Sequence, residues 1–549
     1  MEKIKGDKSS KNTGKTNTII SSGVFVSLIA LFARIPLTRV IGDEGNGIYA
    51  AAFEVFMLIL LLAVNCIPEA LSKIISVRLA REQYKNANRA FKVVSLWVLI
   101  ISIICCAFLL GGAAFVAEDI MLVPMSALAI KMLAPVVIIM SMAAIYRGYF
   151  QGMGTTMPTS VSKCIEQIIG TIASIVASLF MCNYGIKVAH LLHNNSFAAA
   201  YAVMGIALGT LIGAFLSLLF LLFVFMLYKQ QRVKLLEKDT TRGSESNVDV
   251  LRSFLYVLIP LIITAGVFRI NYILDQILYN GVMTGTGQAS EQVINYGIYA
   301  GKYQVLVQIP VVLASMMWLP MIPALQSAYQ RVDMRLIRNR IAVVYRLTMI
   351  VVMPFMISLI FLARPVLNMF FRGDVTLSAQ LLQYGSSFIL FSAFAFVGNA
   401  VLQGINRVRT LTINVLVALI IHVIALMVML KYLNLGIFAV VYANILMVII
   451  ICILNQATLK KYLKYNQEWI RTVAIPFAAS MIVGFIAFAI HKVLEGGIGN
   501  NAALIIACLI ETIAYISLLI AFRAMNEKEI KSMPAGKIIV KTAKLFHLL

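Results

Sequence analysis

A small set of ionisable and amide side chains interrupts the long apolar stretches of this 549-residue chain: Arg34, Arg39, Glu54, Asn65, Glu69, Arg269, Asp275, Lys302 and Gln304. Their types suit non-covalent recognition of a charged partner. Arginine cannot lose its proton and grips carboxylate or phosphate oxygens in pairs. The four basic residues outnumber Glu54, Glu69 and Asp275, so an anionic group fits the set better than a cation does. Read instead as structural ion pairs, the natural couples are Arg34 with Glu54 and Arg269 with Asp275. Covalent chemistry has no comparable support. The five histidines are not expected to pair with carboxylates, and no P-loop, nucleophile elbow or metal-ligand spacing occurs. The seven cysteines lie in or beside apolar runs without a CxxC or Cys/His pattern. No metal, no cofactor and no enzymatic activity are expected.

These residues need elements to hold them, and composition says which. Apolar residues make up 61% of the chain and charged ones 13%, about half the charge a soluble surface requires. The bilayer is the solvent that such a chain fits. Each helical span takes roughly 20 apolar residues, and fourteen apolar runs are found, from 19–41 and 48–75 to 472–490 and 502–522. Numbering the runs in order and taking the N-terminal side as inward, the inward segments hold 32 Lys and Arg against 5 in the outward loops. The positive-inside rule then places both termini in the cytoplasm of a multi-pass plasma-membrane protein. It also assigns the net charge of +23 to the anionic cytoplasmic leaflet and its lipids; nucleic-acid binding is not expected.

The most informative pattern is an internal repeat. Gly47-Ile48-Tyr49-Ala50-Ala51-Ala52-Phe53-Glu54-Val55 recurs 250 residues later as Gly297-Ile298-Tyr299-Ala300-Gly301-Lys302-Tyr303-Gln304-Val305. Gln151-Gly152 and Gln403-Gly404 echo at an offset of 252, and Arg34 and Arg269 each precede one copy. The expected architecture is therefore all-α and polytopic. Residues 1–18 form a basic cytoplasmic tail, 19–227 an N-lobe of six spans and 228–252 a cytoplasmic linker. A parallel C-lobe of six spans covers 253–455, two extra spans cover 472–522, and a second basic tail covers 523–549. Two parallel halves around a central site is a transporter plan.

Polar groups collect on spans 1, 2, 7 and 8, whereas spans 3, 6, 9 and 12 have almost none. A charge at mid-bilayer costs at least about 2.5–3.5 kcal/mol, so such a cluster calls for a shared wet or paired environment. At 100° per residue Glu54, Asn65 and Ser72 fall on one line of span 2, with Glu69 about 60° away. Glu54 and Gln304, equivalent in the repeat, are expected to face one another across the pseudo-twofold axis. Pro36, Pro68, Pro310, Pro320 and Pro323 break or bend these spans, as suits backbone lining a cavity.

Together with the fourteen spans and the 6+6+2 plan, three motifs carry a resemblance. They are Arg34-Ile35-Pro36, Ile41-Gly42-Asp43-Glu44-Gly45-Asn46-Gly47-Ile48-Tyr49 and Tyr149-Phe150-Gln151-Gly152. The chain resembles the multidrug/oligosaccharidyl-lipid/polysaccharide exporter superfamily over roughly 19–522. Within it the chain is most similar to the polysaccharide-transporter branch that contains stage V sporulation protein B and the MurJ-like lipid II flippases of Gram-positive bacteria. The resemblance implies an alternating-access flippase that carries an undecaprenyl-diphosphate-linked saccharide, lipid II first among them, to the outer leaflet. It implies a transport role for Arg34 and a cavity position for Arg269. The arginine pair that Gram-negative flippases carry on the second span is missing here, where Leu60-Leu61 stand; Lys302 is the candidate replacement. A capsule or teichoic-type lipid-linked oligosaccharide is the alternative substrate, and a drug/cation antiporter the alternative function. A monomer is expected, and any coupling ion has no identity in the sequence.

Overall fold

The computed structural model of the protein describes residues 2–239, 243–287 and 289–522; the basic tail at 523–549 lies outside them. Among the described residues every regular element is helical, as required of backbone that must satisfy its hydrogen bonds without water. Among the described residues thirteen helical runs are long and apolar enough to cross a membrane, so length and apolarity do not by themselves return the number fourteen. The first run, Gly23–Ala80, is counted there as one although it spans 58 residues, roughly 87 Å of helix at 1.5 Å per residue.

The chain divides into two compact units at Gly301/Lys302. The first holds α1 (Glu2–Leu60), a π turn at Leu61–Asn65, α2 (Ile67–Ala80), α3 (Tyr84–Gly111), the short α4 (Ala113–Phe115) and a π turn at Val116–Ile120. There follow α5 (Ser126–Gly152), α6 (Met157–Leu192), α7 (Ser196–Leu227), α8 (Lys229–Glu237), α9 (Asn247–Gly285) and α10 (Ala289–Ile298). Gly42 breaks α1, with φ 70° and ψ −175°, a conformation essentially reserved for glycine. The chain folds back there: Arg34 Nη2 reaches Asn46 Oδ1 at 3.4 Å, whereas twelve residues of straight helix rise about 18 Å. The core joins Ile48, Ala51, Leu71, Ile75, Val94, Val136, Val137 and Phe150. Helices α6 and α7 approach through small residues. Side chains on Gly205, Gly209 and Gly213 would run into the α6 backbone at Ala177–Ser178, Ser174 and Gly170. Ser174 and Ser178 add hydrogen bonds to the Ile206 and Ala202 carbonyls, at 3.1 and 2.9 Å. This is how helices associate where lipid removes the hydrophobic driving force.

The second unit holds α11 (Gln304–Trp318), α12 (Met321–Gln330), α13 (Met334–Phe361), α14 (Ala363–Phe370), α15 (Thr376–Gly385), α16 (Ser387–Gly404), α17 (Val408–Lys431) and α18 (Ile437–Leu463). A π turn at Ile470–Ala474 leads to α19 (Ile475–Ile498) and α20 (Asn500–Ala521). Amides tie its helices together: Asn414 Nδ2 donates to Asn455 Oδ1 at 3.0 Å, and Asn455 Nδ2 to Asn399 Oδ1 at 2.7 Å. The α19–α20 hairpin docks on α13, where Tyr515 donates to the Ile350 carbonyl at 3.1 Å and Ser358 meets Glu511 at 2.6 Å.

The sequence repeat has a structural counterpart inside each unit. Gly152 packs against the Ile75 side chain and Ser72 carbonyl, and Gly404 against the Leu325 side chain and Ile322 carbonyl. The turns that follow repeat bond for bond: Met153, Gly154 and Thr155 donate to Tyr149, Gln151 and Phe150, as Ile405, Asn406 and Arg407 donate to Val401, Gln403 and Leu402. Glu82 and Val332, 250 residues apart, both take φ 58°.

Candidate functional site

The reversal at Gly42 fixes what Arg34 meets. In an antiparallel hairpin pivoting there, position 34 mirrors position 50, and the Arg34 guanidinium lies 4.1 Å from the Tyr49 ring centroid. Glu54 sits four residues deeper, about 6 Å along the axis. It pairs instead with Arg269 of α9, Nη2 to Oε2 at 2.8 Å. The sequence-based couple Arg34–Glu54 is thus corrected to Arg269–Glu54, with Arg34 held by an aromatic ring and an amide. Arg269 also stands 5.7 Å from the Tyr272 ring, and Asp275 is buried one turn further along α9.

Asn46 is the keystone, and the residue reading passed over it. Fully buried, it accepts from Arg34 at 3.4 Å and Thr38 Oγ1 at 3.2 Å, and donates to the Gly42 carbonyl at 2.7 Å. Thr38 in turn reaches the Gly301 carbonyl at 3.3 Å. Asn46 directly precedes the first Gly-Ile-Tyr-Ala, and both copies of that motif meet within the first unit. A side chain on Gly47 would collide with the Val293 carbonyl, and one on Gly297 with the Asp43 carbonyl. The repeated glycine is a close helix crossing, and the asparagine beside it holds the arginine. Helix α9 supplies a second unforeseen feature: Arg269, Tyr272, Gln276 and Asn280 recur every three to four residues, with Gln276 and Asn280 buried.

The remaining predicted residues lie elsewhere. The π turn at Leu61–Asn65 inserts an extra residue per turn, so the 100° stripe through Glu54, Asn65 and Ser72 loses its phase. Asn65 and Glu69 are exposed, as is Arg39. Pro68 opens α2 directly after that turn, and Pro320 parts α11 from α12. Lys302 is buried at the start of the second unit and donates to the Asp374 carbonyl at 3.3 Å; Gln304 opens α11 in that unit. The Thr376 hydroxyl and amide hold the Asp374 carboxylate below the usual range. Tyr149, Phe150 and Gly152 serve packing, the two rings in an aromatic cluster with Phe91, Phe225 and Tyr228.

Within the first unit the cluster therefore counts Arg34 and Arg269 against Glu54 and Asp275, without the basic excess expected of the full set. The difference between the two arginines is what matters. Arg269 has a carboxylate, whereas Arg34 makes no ion pair among the described residues; buried N–H groups without a hydrogen-bond partner occur on both, at Arg34 Nη1 and Arg269 Nε. Such a group retains both charge and donor capacity for an anionic oxygen. No three His, Cys, Asp or Glu side chains converge among the described residues.

Residues 14–329 match the family described as polysaccharide biosynthesis protein. The chain is 22% identical to stage V sporulation protein B of Bacillus subtilis (strain 168) over 529 residues, 96% of this chain and 98% of that protein. It is 23% identical to the lipid II flippase MurJ of the same organism over 427 residues, 74% of this chain and 75% of that protein. Its fold resembles an inward-facing multidrug resistance MATE family transporter of the MOP superfamily, with a TM-score of 0.59 and 16% identity, covering 80% of this chain and 95% of that one.

Proposed function

The chain belongs to the polysaccharide biosynthesis protein family, and on that premise we propose that it is an alternating-access flippase for an undecaprenyl-diphosphate-linked saccharide. Lipid II is the substrate we favour, carried from the inner to the outer leaflet of a bacterial plasma membrane with both termini cytoplasmic. Arg34 carries this reading. A half-buried guanidinium with an unpartnered Nη1 and no carboxylate suits a diphosphate, whose oxygens accept paired N–H donors. Tyr49 and Asn46 hold the guanidinium in place, so little ordering is lost on binding. The Arg269–Glu54 pair next to it offers a second cation that an incoming phosphate can compete for. The relation to the lipid II flippase supports the substrate class. The relation to stage V sporulation protein B keeps another lipid-linked saccharide as the second reading.

Reconstituted proteoliposomes test the proposal. Fluorescent lipid II in the inner leaflet should become accessible to an external membrane-impermeant quencher faster with the wild type than in empty vesicles. Arg34→Ala should return the rate to background with the protein still inserted, and a cationic dye should not be transported. Wild-type flipping by Arg34→Ala would remove Arg34 from the mechanism; dye transport without lipid flipping would favour an antiporter.

A further inference from the structure

We infer that the cavity between α2, the turn that follows it and the start of α9 binds the phosphate headgroup of an anionic membrane lipid. It has a volume of about 590 Å³, and its lining includes Lys73, Arg78, Arg81, Glu245, Arg252 and Tyr256. Arg78 is already satisfied: Nε and Nη2 donate to Glu245 Oε2 at 3.0 and 2.5 Å, and Nη1 donates to the Ile74 carbonyl at 2.9 Å. Lys73, Arg81 and Arg252 are exposed and make no ion pair among the described residues. Three uncompensated cations around one concavity repel one another, and a phosphate placed among them removes that repulsion.

The rim is built. Asn86 exchanges hydrogen bonds with the backbone of Gly243 and Glu245 at 3.3 and 3.2 Å, and Arg89 donates to Asn247 at 3.0 Å. The Lys85 amide donates to Asp239 at 2.9 Å. These bonds hold Glu245 and the start of α9 against the first turns of α3.

Apolar surface beside the cations selects a lipid over free phosphate. Val77 lines the cavity and is 47% exposed. Tyr256, 84% exposed, begins a stripe on α9 that continues through exposed Ile259 and Ile263, positions that share one helical face. A basic pocket at the side given to the cytoplasm by the charge asymmetry, opening onto an apolar track, matches a headgroup with its acyl chains.

The test is native mass spectrometry of the full chain released from nanodiscs of equimolar phosphatidylglycerol and phosphatidylethanolamine. Wild type should retain phosphatidylglycerol preferentially. Arg81→Ala/Arg252→Ala should lose that adduct at least five-fold, and Arg81→Lys/Arg252→Lys should keep it. Arg335→Ala/Arg338→Ala, which removes equal charge from exposed positions of α13, should leave it unchanged. Equal loss in both alanine pairs, or loss in neither, would overturn the site. Equilibrium dialysis with labelled inorganic phosphate separates the two sources of the ligand. No saturable binding is expected; saturable binding lost in Arg81→Ala/Arg252→Ala would transfer the cavity to free phosphate.

Discussion

Arg34 and Arg269 lie in one unit yet meet different partners, and single substitutions should separate them. Asn46→Ala removes the acceptor shared by Arg34 and Thr38, leaving buried donors unmet at about 1–3 kcal/mol. A lowered Tm with reduced transport is the expected outcome; an unchanged Tm would deny Asn46 its role. Arg269→Gln leaves Glu54 buried without its cation, and Glu54→Gln does the reverse. With side chains 25% and 16% exposed, each should fall toward the low end of the ~3–5 kcal/mol that breaking a buried pair costs. Combining them should recover most of the loss in a thermal-melt cycle, whereas additive losses would mean that the pair carries no coupling. Glu54→Gln should spare transport more than Arg34→Ala does, because the repeat already places Gln304 at the equivalent position. An inactive, well-folded Glu54→Gln would make Glu54 a titratable coupling group. The residues were legible one by one as charges where lipid should be. Their partners were not, because pairing depends on the mirror register about Gly42 and on where α9 lies beside the second arm of α1.

Helices were easier to read than what interrupts them. The apolar run 502–522 matches α20 to within two residues, but α18 continues to Leu463 through Lys460 and Lys461, since a helix does not stop where lipid does. The repeat was legible in Gly-Ile-Tyr-Ala; its reason, the crossing of Gly47 and Gly297, needed the two backbones in contact. The π turn at Leu61–Asn65 left no signal beyond the nearby Pro68, so a stripe computed at constant pitch failed there. Two glycines give tests at this scale. Gly42→Ala forces a side chain into a region that costs non-glycine residues about 1–3 kcal/mol, and a lower Tm is expected although nothing crowds the site. Gly209→Val should prevent α7 from approaching Ser174 of α6 and abolish stable insertion. A normal melt for either variant would contradict the local geometry.

For the whole molecule, the charge asymmetry of 32 against 5 carries the expected orientation, with both termini cytoplasmic. In a cysteine-free background, Asn434→Cys should react with an impermeant maleimide on intact cells. Ser244→Cys should react only after permeabilisation; the reverse pattern would invert the topology and move the basic cavity to the outer face. Composition was enough to reach a multi-pass helical membrane protein, because it is summed over hundreds of residues; the transporter plan needed the internal repeat. The sugar of the proposed cargo was not legible, since a guanidinium that binds phosphate would leave the sugar unspecified. The central claim, that this chain flips lipid II through Arg34, is tested most directly in cells depleted of their own lipid II flippase. The readout is the exposure of lipid II to a membrane-impermeant probe added outside. The account predicts that wild type restores exposure and that Arg34→Ala, equally expressed, does not. Restoration by both would contradict the role of Arg34, and restoration by neither would contradict lipid II as the substrate.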